Sequence, residues 1–417
     1  MKPAVLAAVT LLTSMSSEML APARILFLVA VLRLPLITVG LIEGAAISIS
    51  ILVRTWMAQL ISDTNPKPLA LLGYGLSTIA RPMLALAAAW FPALFLVLID
   101  AVGKNMGDKQ REALPADSSP RQGIRNAFSL HRSMIVLGAI LGPLFTYLIF
   151  LLTSGNVRMV LLATVIPGMV AVSLLLIIPE RTTKPFWTLD FRFWNNKNRP
   201  KSKIQNPKSK IQNLKSWGLR FWMFTAVSAV FALGNISVAF LVLRGAGLDK
   251  AALLVPLMYL AYKLTHHLLA RPLGALSERW GRLPVLVMGQ VALALIYAGW
   301  AHASVAWHSW ALFIAYGVYV AAISGVARGF AMDIAPSEGG ESALRWFSTI
   351  TGLAAIPGNV AAGWLWSLAG PGAAFTYGAW AAMIALALSV AWLPWLLGKG
   401  YLLQPDQVNQ EVEPSHA

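Results

Sequence analysis

Cysteine is absent from this chain and charge is scarce, at 12% of 417 residues. The missing thiol excludes disulfides, thiolate metal sites and cysteine nucleophiles. A soluble domain carries about 25% charged residues, so half of the usual polar coat is lacking. A single soluble core also stops growing well short of this length. No H-E-x-x-H, G-x-S-x-G or Walker A pattern occurs, and the six histidines make no zinc spacing. Metal hydrolysis, serine esterase chemistry and an ATP motor are thereby set aside, and no cofactor is expected.

What is present is apolar length. Hydrophobic residues make up 57% of the chain and mean hydropathy is +0.66. A membrane helix needs about 20 mostly apolar residues. Such runs fall near 4–32, 36–61, 69–89, 92–113, 124–152 and 158–179, then 218–243, 250–276, 283–302, 309–333, 342–369 and 371–397. That predicts an all-α membrane protein of twelve helices. Its N-terminal bundle covers 1–179 and its C-terminal bundle 218–397, with a linker over 180–217 and a tail over 398–417. No cleavable signal follows Lys2, so the first segment is expected to stay in the membrane.

Net charge is +16, and the stretch from Glu180 to Arg220 holds 11 basic residues against two acids. Basic loops face the cytoplasm, so both termini and the linker are expected there, in a cytoplasmic (inner) membrane. This explains the high pI by topology, and nucleic acid is not an expected partner. The tandem PKSKIQN heptamers at Pro200–Asn206 and Pro207–Asn213 read as a solvated linker, with anionic lipid as the other reading. Trp90, Trp300, Trp307 and Trp310 fall where an outer aromatic belt belongs, and Trp217, Trp222, Trp392 and Trp395 where an inner one does.

The halves repeat each other. Gly103-x-x-x-Gly107 and Gly325-x-x-x-Gly329 lie in the fourth and tenth helices and read as close-packing faces. Asp117 and Asp333 follow, each three residues before a proline. Two six-helix repeats around a linker make a transporter architecture.

Ionisable residues inside membrane helices are costly and are functional candidates by default. At 1.5 Å per residue, Glu18 lies about 21 Å and Arg81 about 18 Å from the inner boundary. Glu43 and Asp100 lie about 10 and 12 Å below the outer one. These four share a layer, with Lys104 one turn deeper on the face of Asp100. They are expected to line a charged cavity for a charged or zwitterionic solute, or to be buried ion pairs holding helices in register. In the other half, Asn235 and Lys263 are candidates for ligand contact. His266 and His267 are a conceivable proton relay, with headgroup contact as the blander reading.

Gly274-Ala-Leu-Ser277-Glu278-Arg279-Trp-Gly281-Arg282 resembles the G-x-x-[SA]-[DE]-R-x-G-R signature of the major facilitator superfamily, which implies a loop joining the eighth and ninth helices on the cytoplasmic side. In its first-half counterpart only Asp63 and Lys67 remain. Ser16-Ser-Glu-Met19, Gly40-Leu-Ile-Glu-Gly44, Leu72-Gly-Tyr-Gly-Leu-Ser77, Asp100-Ala-Val-Gly-Lys104 and Thr351-Gly-Leu-Ala-Ala-Ile-Pro357 are similar to a bacterial permease branch of that family. The resemblance implies a monomeric secondary transporter moving a small organic molecule, export ahead of uptake, with coupled protons as a possible partner. Arg111 with Asp117 and Arg328 with Asp333, repeated near the cytoplasmic ends of both halves, read with Glu278 and Arg279 as gating salt bridges, or as positive-inside anchors. Asp63, Gly274, Gly281 and Arg282 of the signature loops join the expected gating set. The branch carries acids where this chain has Ser14, Val238, Ser324 and Ala327, which argues against simple proton/drug antiport. A non-transporting receptor or scaffold that kept the fold is the alternative.

Overall fold

The computed structural model describes residues 2–60, 66–118, 124–177, 218–249, 252–335 and 340–397. The tandem heptamers, the tail and Asp63 lie outside them. The first span runs over Lys2–Leu26 and continues as a π-helical turn over Phe27–Val31. Leu36–Leu60, Pro66–Leu86, Trp90–Ser118 and Ile124–Leu152 form the next four. Val157–Ala163 and Val165–Ile177 together make the sixth. Beyond the linker come Leu219–Gly234 with Val238–Asp249, then Val255–Trp280, Arg282–His302, Ala306–Ile323 with Val326–Asp333, Gly340–Ala369 and Pro371–Leu397. These are the seventh to twelfth spans. The ends at Ile177 and Leu219 mark the linker face, and the opposite side is the far face.

Among the described residues nine helices are long and apolar enough to cross a membrane. The fourth, eighth and eleventh spans fall outside that set although they run 29, 26 and 30 residues. The fourth and eighth dilute their apolar length with charge, Asp100 and Lys104 in one and Lys263 and Arg271 in the other. Leu86, Leu152 and Ile177 stay more than two-thirds exposed. Large apolar side chains thus point outward, as they do where the surrounding solvent is hydrocarbon. Packing between such helices then rests on close approach and polar contacts.

The buried apolar side chains fall into one large cluster and two small ones. The large cluster fills the far half and joins both bundles: Phe27, Leu28, Val39 and Ile42 meet Phe240, Met258, Trp300 and Phe375. On the linker half the clusters are separate. Val9, Tyr74 and Leu175 belong to the N-terminal bundle, and Phe221, Phe224, Leu286 and Phe347 to the C-terminal one. The second and eleventh spans cross this divide along most of their length. A Cβ on Gly40 or Gly363 would meet the backbone of Asn359 or Leu36, so only glycine permits this approach. Ser48 Oγ donates to Gly352 O at 2.7 Å, and Trp56 Nε1 to Thr349 Oγ1 at 3.1 Å.

Three expectations need correction. Gly274–Trp280 makes about the last two turns of the eighth span, and the chain turns at Gly281 alone, at φ 86°. Gly103 and Gly107 pack against Gly73 and Tyr74 as expected, whereas Gly325 breaks the tenth span at φ 85° and Gly329 lies against the Arg282 guanidinium. Trp300 and Trp392 are buried rather than in a belt. Trp300 stacks on Phe375 at 5.8 Å, because its span turns that face to the core. Trp90 and Trp307 are exposed.

Candidate functional site

The charged residues singled out from the sequence meet in the far half, and they meet as pairs. Arg81 Nε donates to Asp100 Oδ1 at 2.8 Å, and Ser77 Oγ donates to the same oxygen at 2.5 Å. The guanidinium also donates to Ser17 Oγ at 2.9 Å and to Ser16 Oγ. Ser16 Oγ in turn donates to Thr164 O at 2.7 Å, where the sixth span breaks. This network ties the first, third, fourth and sixth spans inside the N-terminal bundle. Every lone pair and N–H it satisfies is one that hydrocarbon would leave unpaired.

Glu43 is buried and held by Arg24 through two bonds, Nε to Oε1 at 2.9 Å and Nη2 to Oε2 at 2.8 Å. Oε2 also accepts from Ser237 Oγ of the other bundle at 2.9 Å. Ser237 sits in the break of the seventh span, Asn235–Ser237, and its N–H donates to Asn359 Oδ1 of the eleventh span at 2.8 Å. Tyr297 OH donates to Ile236 O at 3.3 Å and leans on Asn235 Oδ1 at 3.4 Å. The backbone groups freed by the break are thus met by side chains, the condition for irregular backbone at membrane depth.

Glu18 reaches across the bundle boundary. Lys263 Nζ donates to its Oε1 at 2.9 Å and Tyr259 OH to its Oε2 at 2.8 Å. Nζ also stands 5.3 and 5.5 Å from the centres of the Tyr259 and Tyr262 rings. Lys104 makes no ion pair among the described residues. Three pairs cancel, so Lys104 leaves this layer with an excess positive charge.

Below the pairs a cavity of about 290 Å³ lies between the bundles, with Ile47 and Ile51 on one side and Asn235, Ser237, Tyr316 and Thr351 on the other. Asn235 therefore touches the cavity, while Glu43, Arg81 and Asp100 are absorbed by protein partners.

The residues expected to gate lie elsewhere. Arg282 Nη1 pairs with Asp333 Oδ1 at 2.8 Å, exposed and inside the C-terminal bundle, so this pair does not join the halves. Glu278 and Arg279 are exposed, and Gly274 has open space around it. Arg111 and Asp117 lie on the helical end of the fourth span, and their side chains are outside the described residues. The sequence reading passed over Arg24, Ser237, Tyr259 and Asn359. Arg24 carried the same signal as Glu18, a charge inside an apolar run, whereas the other three gave none.

The family model of the Major Facilitator Superfamily matches residues 6–358. An uncharacterized MFS-type transporter of Methanocaldococcus jannaschii is 26% identical over 380 residues, 89% of this chain and 90% of that one. An uncharacterized protein of Mycobacterium bovis is 24% identical over 71% of this chain and 69% of its own length. Among solved structures, the nucleoside transporter NupG superposes with a TM-score of 0.72 at 14% identity, covering 94% of this chain and 98% of that chain. A D-xylose–proton symporter gives 0.65 at 15%, covering 93% and 96%. At these identities the solved structures share the fold.

Proposed function

The chain belongs to the Major Facilitator Superfamily, and on that premise we propose that this secondary transporter exports a small charged or zwitterionic organic solute by alternating access. The reading divides the chain into a bundle over 1–179, a cytoplasmic linker over 180–217, a bundle over 218–397 and a cytoplasmic tail. It makes the protein a monomer of the cytoplasmic membrane. The observation that carries it is the asymmetry of the bundle boundary. Far halves share one apolar cluster and the Glu18–Lys263 and Glu43–Ser237 contacts, while linker halves keep separate clusters beyond a cavity and are bridged along the second and eleventh spans. This is the arrangement of a carrier closed on one side and loaded from the other. The Lys/Arg excess of the linker marks the loading side as cytoplasmic, hence export.

Binding must differ between the two states for a solute to be carried. Glu18 and Lys263 are joined only while the far side is closed, so a solute that competes for either favours opening. Lys104, excess in charge beside them, favours a solute with an anionic group. Asn235 and Ser237 supply hydrogen bonds at the broken span. Arg282, Asp333 and the helix end Gly274–Arg279 with the Gly281 turn hold the linker face of one bundle as it moves; Asp63, Arg111, Asp117 and Arg328 complete the gating set.

Counterflow in proteoliposomes, with radiolabelled glutamate, benzoate and glycine betaine as probes, tests the reading. Flux of a carried probe should fall at least about tenfold in Glu18→Gln and in Lys104→Ala, each still folded. Unchanged flux in both variants contradicts the site.

A further inference from the structure

A second cavity, of about 330 Å³, lies wholly within the C-terminal bundle on its linker half. It touches the boundary cavity through Asn235 and Thr351 but draws no residue from the first 218 positions. Its walls are aromatic. Phe224 and Phe347 stand parallel, centres 5.5 Å apart and planes 4° from each other, and Phe231, Tyr319 and Trp392 line it beside aliphatic Leu283, Leu286 and Ile323.

Two polar side chains in this apolar setting lack what they need. Arg328 is the only charged residue in the lining, and among the described residues it makes no ion pair or hydrogen bond. The acid closest in sequence, Asp333, is taken by Arg282. Gln290 is buried; its Nε2 donates to Ser389 Oγ at 3.1 Å, while its Oε1 has no partner. A buried carbonyl oxygen without a donor costs about 1–3 kcal/mol, and the Arg328 guanidinium, exposed at the cavity wall, stands open to an incoming anion.

We propose that this cavity is a binding site for a flat aromatic carboxylate bearing an N–H or O–H donor. The carboxylate accepts two parallel bonds from Arg328, the ring lies among the Phe224, Phe347 and Tyr319 side chains, and the donor satisfies Gln290 Oε1. Volume agrees, since about 300 Å³ is the lower end of small-ligand pockets. The break at Gly325 lets the chain turn so that Arg328 points into the bundle. The claim concerns equilibrium binding and holds or fails apart from transport.

Calorimetric titration of the full chain in nanodiscs of zwitterionic lipid tests it with three probes. Indole-3-acetate has the carboxylate, ring and N–H; 1-naphthaleneacetate lacks the donor; tryptamine reverses the charge. Indole-3-acetate should bind tightest and tryptamine not measurably. Arg328→Met should weaken indole-3-acetate about tenfold or more, Arg328→Lys by less, and Gln290→Leu should erase the preference over 1-naphthaleneacetate. Each variant is checked by its melting temperature, and should Arg328→Met not fold, the Gln290→Leu preference decides. Equal binding of tryptamine, an Arg328→Met variant with unchanged affinity, or a preference that survives Gln290→Leu overturns the proposal. Adding phosphatidylglycerol to the disc should leave binding unchanged; its displacing the probe assigns the site to a lipid headgroup instead and also overturns the proposal.

Discussion

At the scale of single residues, the charges in the far half do two different things. Arg81 and Asp100 are buried and satisfied inside one bundle, so they hold four spans in register. Removing one partner strands the other charge, at about 3–5 kcal/mol. Arg81→Met and Asp100→Leu should therefore each lower the melting temperature markedly, while the double variant should recover most of the loss. If the double variant melts below both single ones, the pair is not the unit described. Glu18 and Lys263 instead belong to different bundles, and in the proposed cycle their bond forms only when the far halves meet. Glu18→Lys and Lys263→Glu should each abolish flux, and combining them should restore it in part; no restoration argues against the bond. The rule that a charge inside an apolar run is functional found six of the seven charges in this layer, all but Arg24. It did not find who pairs with whom, because pairing depends on helix rotation and on which bundle faces which. Ser237 and Asn359 were invisible for the same reason, since an isolated Ser or Asn in a span carries no period.

At the scale of elements, glycine does unlike work in like sequences. The two GxxxG segments read as equivalents, and the twelve spans were legible almost to their ends from apolar length alone. The breaks were not legible. Gly103 and Gly107 let two helices touch, but Gly325 takes a left-handed conformation with open space around it. Gly325→Ala should thus cost about 1–2 kcal/mol through backbone strain alone. Gly274 stands in a helix with equal space and an ordinary conformation. Gly274→Ala should be neutral or raise stability by up to about 1 kcal/mol. Melting curves of the two variants separate these roles, and equal effects would contradict the distinction. The signature segment itself reads as a loop by family resemblance, whereas six residues after Gly274 continue the helix until Gly281 ends it.

For the whole molecule, sequence disclosed the six-plus-six architecture but not the state it rests in. That state follows from which side's apolar residues join across the boundary, a property of assembly that no single helix records. The central claim is that the bundles rock about the pair of Glu18 and Lys263. Because the chain has no cysteine, introduced thiols can be spin-labelled without background. Exposed positions suit this: Ala89 with Ser304 on the far face, and Ala4 with Trp280 on the linker face. Pulsed electron–electron distance measurements in nanodiscs, on each pair in the wild-type background and with Glu18→Gln, test the claim most directly. The account predicts that Glu18→Gln lengthens the far-face distance and shortens the linker-face one together. A single distance at each face, unmoved by Glu18→Gln, contradicts alternating access and favours a rigid receptor or scaffold.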